Sequence, residues 1–295
     1  MALRVFPSST LTKTQVRSSV AAQIVSPYVF YRMHEGTGTS LADSSPNSGP
    51  AIAVGDTTTN LWTSPYFGVV FDVLGNYAFG QDAGTIIDRI FNLSRARDNG
   101  QIIVAFDYST DGTITSSEQM FSYGANTTAG YWGINVNTTP ALEFSHRGVG
   151  ASNLTTTAFP SFNLFTNAAG ANSVANARIT LLFDLRVNGT SASCTCYSNG
   201  TSISTASVTD LFANSATDYP GATTTQPLVL FARKTSTGGS ASGNFDRKAG
   251  AGGSSGRMGL FFAMRRTTAS TTLAQTLATQ FTSNQGEWPL GLIGA

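Results

Sequence analysis

Charge is scarce in this sequence: Asp, Glu, Lys and Arg together make up 11% of its 295 residues, less than half of the usual quarter. The formal net charge is +1. A general nucleic-acid-binding protein needs a strongly basic face, so we expect no nucleic acid as a partner.

Long apolar helical runs are also missing, which predicts no membrane insertion. Residues 1–7 lack the apolar core of a secretory signal, and we therefore expect synthesis in a cytoplasm.

Histidine and cysteine are scarce as well. With two histidines and two cysteines in the whole chain, a zinc site is not expected. The sequence contains no Gly-x-Ser-x-Gly elbow, no phosphate-binding loop and no His-Glu-x-x-His pair. Asp107 and Asp111 resemble calcium ligands, but an ordinary Asp-Gly turn after a strand accounts for them. We therefore predict no metal and no cofactor.

Glutamate occurs at only four positions, 35, 118, 143 and 287, which bears on glycoside hydrolysis. That reaction needs two carboxylates at a set separation. Glu143 and His146 lie close together on one predicted strand, but their odd spacing places them on opposite faces. Glu35 falls in a turn, where a structural role is sufficient. The sequence thus predicts no catalytic residues, and the protein is expected not to be an enzyme.

The two cysteines, Cys194 and Cys196, alternate on one predicted strand. We expect their side chains to point to opposite faces and to remain free thiols, because such positions cannot form a normal disulfide.

Turn-forming and strand-forming residues are what the chain has in abundance. Two Asn-Gly pairs, Asn188-Gly189 and Asn199-Gly200, separate strand-like runs. Asn-Gly tolerates the positive φ angles of a type I′ turn and is the strongest short hairpin signal. The pattern predicts a three-strand meander over residues 178–187, 192–197 and 201–206.

Further strands and one helix follow from the apolar patterning. Ser270 is expected to cap a helix that extends to about Phe281, since Leu273, Leu277 and Phe281 recur every four residues. Residues 88–97 fit either a short helix or an irregular crossover. The segments 148–176 and 235–256 are expected to be loops. The other predicted strands are 24–33, 101–108, 120–123, 130–135, 141–146, 227–233 and 259–264.

Two segments carry a family resemblance. Tyr197-Ser198-Asn199-Gly200 resembles the Tyr-x-Asn-Gly turn of laminin-G-like (concanavalin A-like) jelly rolls, and residues 34–49 resemble the opening turns of that family, Glu-x-Gly-x-Gly followed by Asp-Ser-Ser-Pro-Asn. The resemblance implies an all-β antiparallel jelly-roll sandwich over residues 24–295, with a short C-terminal helix. In this family the first and last strands are neighbours, here residues 24–33 and 259–264. Residues 1–23, which are polar, are expected to form an N-terminal docking arm.

The same resemblance implies a glycan on loops at one rim. A sugar site combines an aromatic ring with planar polar groups, and the candidate ligand-binding residues are Asn126, Tyr131, Trp132 and Arg147. The alternative for the two rings is the core, where most aromatic residues on sandwich strands lie.

Composition and resemblance together favour a non-enzymatic structural or adhesion protein of a virus particle, of the kind that decorates a bacteriophage capsid or forms a tail fibre. The surface is expected to be rich in Ser, Thr, Gly and Asn. We expect residues 1–23 to bind other virion proteins, the chain to form a homo-oligomer (a trimer on a fibre), and a host-surface glycan to be a possible ligand. The alternatives are a free lectin-like module and a glycan-cleaving enzyme.

Overall fold

The computed structural model describes two antiparallel sheets that face each other, with one helix on the outside. The all-β sandwich with a C-terminal helix is thereby confirmed. The residues described are 28–31, 33, 40–45, 49–55, 69–71, 77–80, 86–96, 98–110, 117–127, 129–139, 141–148, 154–163, 179–208, 211, 226–234, 245–246 and 256–283. The expected arm, residues 1–23, lies outside them.

The first sheet has seven strands among the described residues, and its paired neighbours run antiparallel. Tyr28 lies opposite Met264 and Tyr31 opposite Phe261, which confirms that the first and last predicted strands are neighbours. In spatial order the strands are β1 (Tyr28–Tyr31), β17 (Gly256–Arg266), β6 (Asp98–Thr110), β11 (Ile179–Asn188), β12 (Ser191–Ser198) and β13 (Thr201–Val208), with β4 (Val69–Phe71) also paired to β17.

The second sheet has eight strands in the described part of the chain. Their order is β10 (Thr155–Asn163), β9 (Ala141–His146), β8 (Trp132–Val136), β7 (Glu118–Tyr123), β14 (Leu228–Leu230), β5 (Tyr77–Gly80), β3 (Ile52–Gly55) and β2 (Ser40–Leu41). A small separate ladder joins β15 (Arg233–Lys234) to β16 (Phe245–Asp246). Residues 155–163 were expected to be loop, and this is wrong: Thr is a good strand former, and Pro160 is tolerated because β10 is an edge strand.

The main core lies between the two sheets. Phe121 of β7 meets Phe106 of β6 edge-to-face, with ring centroids 6.1 Å apart, and Phe261 of β17 at 5.9 Å. Helix α1 (Ile86–Phe91) and a 3₁₀ turn (Leu93–Ala96) add buried side chains to this core, so the described part of residues 88–97 is a short helix and a 3₁₀ turn. Buried aromatic rings from both sheets therefore bind the layers together.

A second core lies on the outer face of the first sheet. Helix α2 (Thr271–Ser283) buries Leu273, Leu277 and Phe281 there, as predicted. The hydroxyl of Ser270 accepts a hydrogen bond from the Leu273 amide at 3.2 Å, so the expected N-cap is present. Within the described residues, no helix has the length and hydropathy needed to span a membrane.

The meander β11–β12–β13 is confirmed, with one correction to its turns. Asn199 and Gly200 both have positive φ, 47° and 81°, as a type I′ turn requires. In the first turn the central residues are Gly189 and Thr190, because Asn188 pairs with Ser191. Only Gly189, with φ of 60°, is positive there, which indicates type II′ instead.

Both cysteines point into the main core, which corrects the prediction that they lie on opposite faces. Positions 194 and 196 are two apart, and side chains alternate with a period of two, so they share a face. Both thiols are free and buried. Burial raises the pKa of Cys194 and of Cys196 above the ordinary value, with Cys196 and Asp184 adding to the effect at Cys194.

Asp43 holds the opening turn against β1. Its carboxylate accepts hydrogen bonds from the Phe30 amide at 2.8 Å, the Ser45 amide at 3.0 Å, the Ser45 hydroxyl at 2.6 Å and the Gly49 amide at 2.6 Å. A Cβ on Gly49 would lie 2.7 Å from Asp43 Oδ2 and 2.9 Å from Val29 Cγ1. The described part of the Asp-Ser-Ser-Pro-Asn motif, residues 43–45, therefore holds the opening turn against β1.

Candidate functional site

Strands β7, β8 and β9 present two chemically different faces. On β8, Trp132, Ile134 and Val136 point into the main core, so the alternating residues Gly133 and Asn135 lie on the face turned away from it. On β9, Leu142, Phe144 and His146 face inward, and Glu143 and Ser145 face outward. Register places Asn135 opposite Glu143 and Gly133 opposite Ser145.

Polar side chains form a connected row on this outer face, which we call the outer strip: Asn135, Asn137, Glu143, Ser145 and Thr156. The Glu143 carboxylate accepts hydrogen bonds from the Asn135 amide at 2.6 Å and the Asn137 amide at 2.8 Å. Ser145 donates its hydroxyl to Asn135 Oδ1. The hydroxyls of Ser145 and Thr156 lie 3.4 Å apart.

Exposure is lowest in the middle of the outer strip and higher at its two ends. Asn135 and Ser145 are wholly buried, Glu143 and Asn137 are half-buried, and Thr156 on the edge strand β10 is exposed. The buried members fix the orientation of the exposed ones, so the carboxylate and the Thr156 hydroxyl are preorganised. The strip therefore offers solvent a fixed set of carboxylate, amide and hydroxyl groups, which donate to and accept from hydroxylated ligands.

A bulge in β7 places the side chain of Gln119 beside the outer strip. The register of β7 against β8 shifts between Gln119 and Phe121, and the Gln119 amide donates to the carbonyls of Phe121 and Ile134, both at 2.8 Å. A Cβ on Gly133 would lie 2.6 Å from Gln119 Nε2. Only glycine at position 133 leaves room for this side chain.

The four ligand-binding residues predicted from the sequence lie near one end of the same sheet. The Arg147 guanidinium donates to the Asn126 carbonyl at 3.0 Å, and the Arg147 amide donates to the Tyr131 carbonyl at 2.9 Å. These contacts fix the rim loop, by which we mean residues 124–127 and 129–131 between β7 and β8. The structure therefore brings Asn126, Tyr131 and Arg147 together.

The two aromatic rings are not offered to solvent. Trp132 is fully buried in the main core, and its indole N–H donates to the Phe91 carbonyl at 2.8 Å. Tyr131 is also fully buried, and its hydroxyl donates to Gln119 Oε1 at 3.3 Å. Their positions correspond to the core alternative, and neither ring can stack on a sugar in this arrangement. Ligand binding by Asn126 and Arg147 stays a prediction.

Other candidates considered from the sequence have local roles or lie outside the described residues. Glu143 and His146 are on opposite faces, as their spacing predicts. Asp107 accepts a hydrogen bond from the Thr180 hydroxyl at 2.9 Å, whereas Asp111 and Glu35 are not among the described residues. No group of three or more His, Cys, Asp or Glu in the described ranges could hold a metal ion.

Sequence reasoning missed the outer strip, although a signal for it exists. Polar residues alternate with apolar ones over 134–136 and 142–145, which is the pattern of a strand with one polar face. Alternation assigns these polar residues to one face of each strand but does not show which of them lie side by side. Their grouping depends on the register of β8 against β9, which the sequence alone does not give.

Comparison with known proteins identifies the fold. No family model matches the sequence, and no curated protein matches it. Among solved structures, the binding domain of botulinum neurotoxin DC in complex with rat synaptotagmin II has a TM-score of 0.55 at 12% identity, over 88% of this chain and 51% of that one. A botulinum neurotoxin type C structure, described as depending on two ganglioside molecules for cell entry, has a TM-score of 0.55 at 12% identity, over 90% and 52%. The serotype C1 binding domain has a TM-score of 0.51 at 14% identity, over 88% and 52%.

The chain spans about half the length of these structures. At such low identity the likeness concerns the fold, and the shared architecture is a β-sandwich that carries binding functions in those proteins.

Proposed function

We propose that this protein is a non-enzymatic carbohydrate-binding domain that recognises a glycan on the outer face of its second sheet. The observation that carries the proposal is the outer strip. Its carboxylate, amide and hydroxyl groups are held in place by one another, and Glu143, Asn137 and Thr156 reach the surface. Sugar hydroxyls both donate and accept hydrogen bonds, so they match such a mixed set.

The fold supports the same function. One structure with this architecture is described as interacting with two ganglioside molecules, and ganglioside headgroups are glycans. Glu143 of the outer strip accepts hydrogen bonds from two side-chain amides, which hold its carboxylate in a fixed position for a ligand.

The proposed setting is a bacteriophage particle, in which the domain decorates the capsid or ends a tail fibre. The charge-poor composition supports this, because neighbouring copies repel one another little. Residues 1–23 would dock the domain to other virion proteins. A free lectin-like module is the alternative, and it uses the same outer strip.

The binding function is tested by screening the full chain on a glycan array and measuring the affinity of the best glycan. Thr156→Val removes an exposed hydroxyl at nearly constant volume, and Glu143→Gln removes the charge. Each should weaken binding about 5- to 10-fold, the equivalent of roughly one hydrogen bond.

Thr205→Val is the matched control. Thr205 is also exposed on a strand, and its hydroxyl lies 3.0 Å from that of Thr195 on the first sheet. Its loss should leave glycan affinity unchanged. Absence of binding to every glycan, or full affinity in both outer-strip variants, would contradict the proposal.

A further inference from the structure

The rim loop is fixed from two sides by strands that are distant in sequence. The Gly124 amide donates to the Pro227 carbonyl at 2.9 Å, and the Gly130 amide donates to the Arg147 carbonyl at 3.0 Å. The Arg147 guanidinium holds the Asn126 carbonyl. Asn126 and the residues that precede β14 are thus parts of one structured corner of the second sheet.

Gln226 belongs to this corner and is almost entirely buried, with 4% of its surface exposed. Its Oε1 atom lies 2.8 Å from the position that a Cβ on Gly124 would occupy, and the same position is 3.4 Å from Tyr131 Cα. Gly124 has φ of 86°, a conformation that favours glycine. The absence of a side chain at Gly124 therefore makes the space in which the Gln226 carboxamide lies.

Two polar atoms of this corner have no hydrogen-bond partner among the described residues. These are the buried donor Gln226 Nε2 and the buried acceptor Asn126 Oδ1. Buried amide groups are almost always paired, because leaving them unpaired costs the full desolvation penalty. A partner other than the described protein atoms is expected for both.

The chemistry of the two atoms restricts that partner. An anion can accept a hydrogen bond from Gln226 Nε2 but cannot donate one to Asn126 Oδ1. A cation can bind Asn126 Oδ1 but cannot accept a hydrogen bond from Gln226 Nε2. A hydroxyl group does both. Asn126 is only half-buried, so this side of the corner lies next to solvent.

We infer that Gln226 and Asn126 form a subsite for the neutral hydroxyl groups of a sugar, in which one hydroxyl accepts from Gln226 Nε2 and the same or a neighbouring hydroxyl donates to Asn126 Oδ1. The subsite deepens the proposed function and rests on it. Arg147 is the first residue after β9, and it extends the alternation of Glu143 and Ser145, so the corner continues the outer strip toward the rim. A glycan of more than one sugar can thus contact both.

The test uses the full chain and a panel of neutral methyl glycosides, namely those of glucose, galactose, mannose and N-acetylglucosamine. The side-chain NH₂ signals of Gln226 are followed by NMR as each glycoside is added. A saturable shift of these signals with at least one glycoside is expected. Gln226→Met, which keeps the length of the side chain and removes the amide, should weaken that glycoside's binding at least 5-fold, and Asn126→Leu should do the same.

Gln226→Met should also raise the midpoint of thermal unfolding in the absence of sugar, because it removes an unpaired donor from the interior. A residue with a purely structural amide would instead lower the midpoint on substitution. Gln275→Met is the control for the side-chain change, since Gln275 lies on the exposed face of helix α2. It should leave glycoside binding unchanged. If Gln226→Met does not fold, Gln226→Leu replaces it, because its shorter apolar side chain also lacks a donor and buries no charge.

The outcomes separate this inference from the proposed function. If a glycan binds and the Gln226 variants bind it equally well, the subsite is wrong and the outer strip still stands as the binding face. If no array glycan binds but a methyl glycoside shifts the NMR signals of Gln226, the subsite stands and the proposed recognition of a glycan by the outer strip is wrong. A long-lived water at Gln226 Nε2 that no glycoside displaces would overturn the subsite.

Discussion

Asp43 is a single residue on which the geometry of the opening turn depends. Asp43→Asn keeps the shape of the side chain but turns Oδ2 into an NH₂ group, which then faces the Gly49 amide, another donor. One partly buried donor loses its partner, and we expect the free energy of unfolding to fall by about 1–2 kcal/mol. Urea unfolding followed by circular dichroism measures this. Ala42→Ser, at the exposed neighbouring position, should change stability by less than about 0.5 kcal/mol; equal effects of the two substitutions would contradict this role.

The buried thiols predict a dependence of stability on alkaline pH. Burial raises the pKa of Cys196 from its ordinary value of 9.0. Above that pH the unfolded chain loses thiol protons that the folded chain retains, so the free energy of unfolding should fall as pH rises through 9 and beyond. Cys196→Ala should be less stable at neutral pH but should show a shallower fall above pH 9.

The control for the alkaline experiment is Ala192→Gly, which alters the same face of β12 without an ionisable group. It should keep the slope of the parent protein. A parent-like slope in Cys196→Ala would show that the thiol does not titrate on unfolding.

At the scale of elements, helix α2 is joined to the first sheet by a polar cluster as well as by its apolar face. Asp184, which is fully buried, accepts from the Gln101 amide at 2.6 Å and from Nη2 of Arg186 at 2.6 Å. Gln101 in turn bonds the backbone N–H and carbonyl of Ser270, each at 3.0 Å. The start of the helix is thereby tied to β6 and β11.

Asp184→Asn should loosen this helix before the sheets. The new NH₂ group faces a guanidinium, so a favourable ion pair becomes an opposition of two donors. Breaking a buried pair costs about 3–5 kcal/mol, and the partial exposure of Arg186 reduces this to about 2–3 kcal/mol. Relative to the parent protein, hydrogen exchange should accelerate more in residues 271–283 than in β11. Thr272→Ala, on the exposed face of the first turn, should leave exchange unchanged, and uniform acceleration in Asp184→Asn would show that the cluster serves the whole fold.

Elements with strong local signals could be predicted from the sequence. The meander follows from two Asn-Gly pairs, and helix α2 from Ser270 and the period of its apolar residues. Strand β10 could not be predicted, because Pro160 argues against a strand unless its edge position is known. The burial of two of the four predicted ligand-binding residues could not be decided from the sequence either. Tyr131 and Trp132 alternate between the two faces of the sheet, yet both rings are fully buried, so alternation does not reveal exposure.

At the scale of the whole molecule, both sheets of the sandwich are formed by described residues between 28 and 266. Strand β1 begins at Tyr28 and pairs with β17 from there, and helix α2 covers part of the outer face of the first sheet. The edge strands β10 and β13 lie against each other, since the Ser204 hydroxyl donates to the Pro160 carbonyl at 2.6 Å. Contacts between copies are therefore expected to come from a segment outside these sheets.

Deletion of residues 1–23 tests whether the polar N-terminal segment is that anchor. The truncated protein should keep its free energy of unfolding within about 0.5 kcal/mol, as expected for a change away from the packed core, and should still bind glycan through the outer strip. Light scattering should find the full chain as a homo-oligomer and the truncated chain as a monomer, because symmetric homo-oligomers are the common assembly. Removal of residues 284–295 is the control and should leave the oligomer intact. A monomeric full chain, or a truncated chain that assembles normally, would remove the arm from the proposal and favour the free lectin-like module, whose binding face does not depend on assembly.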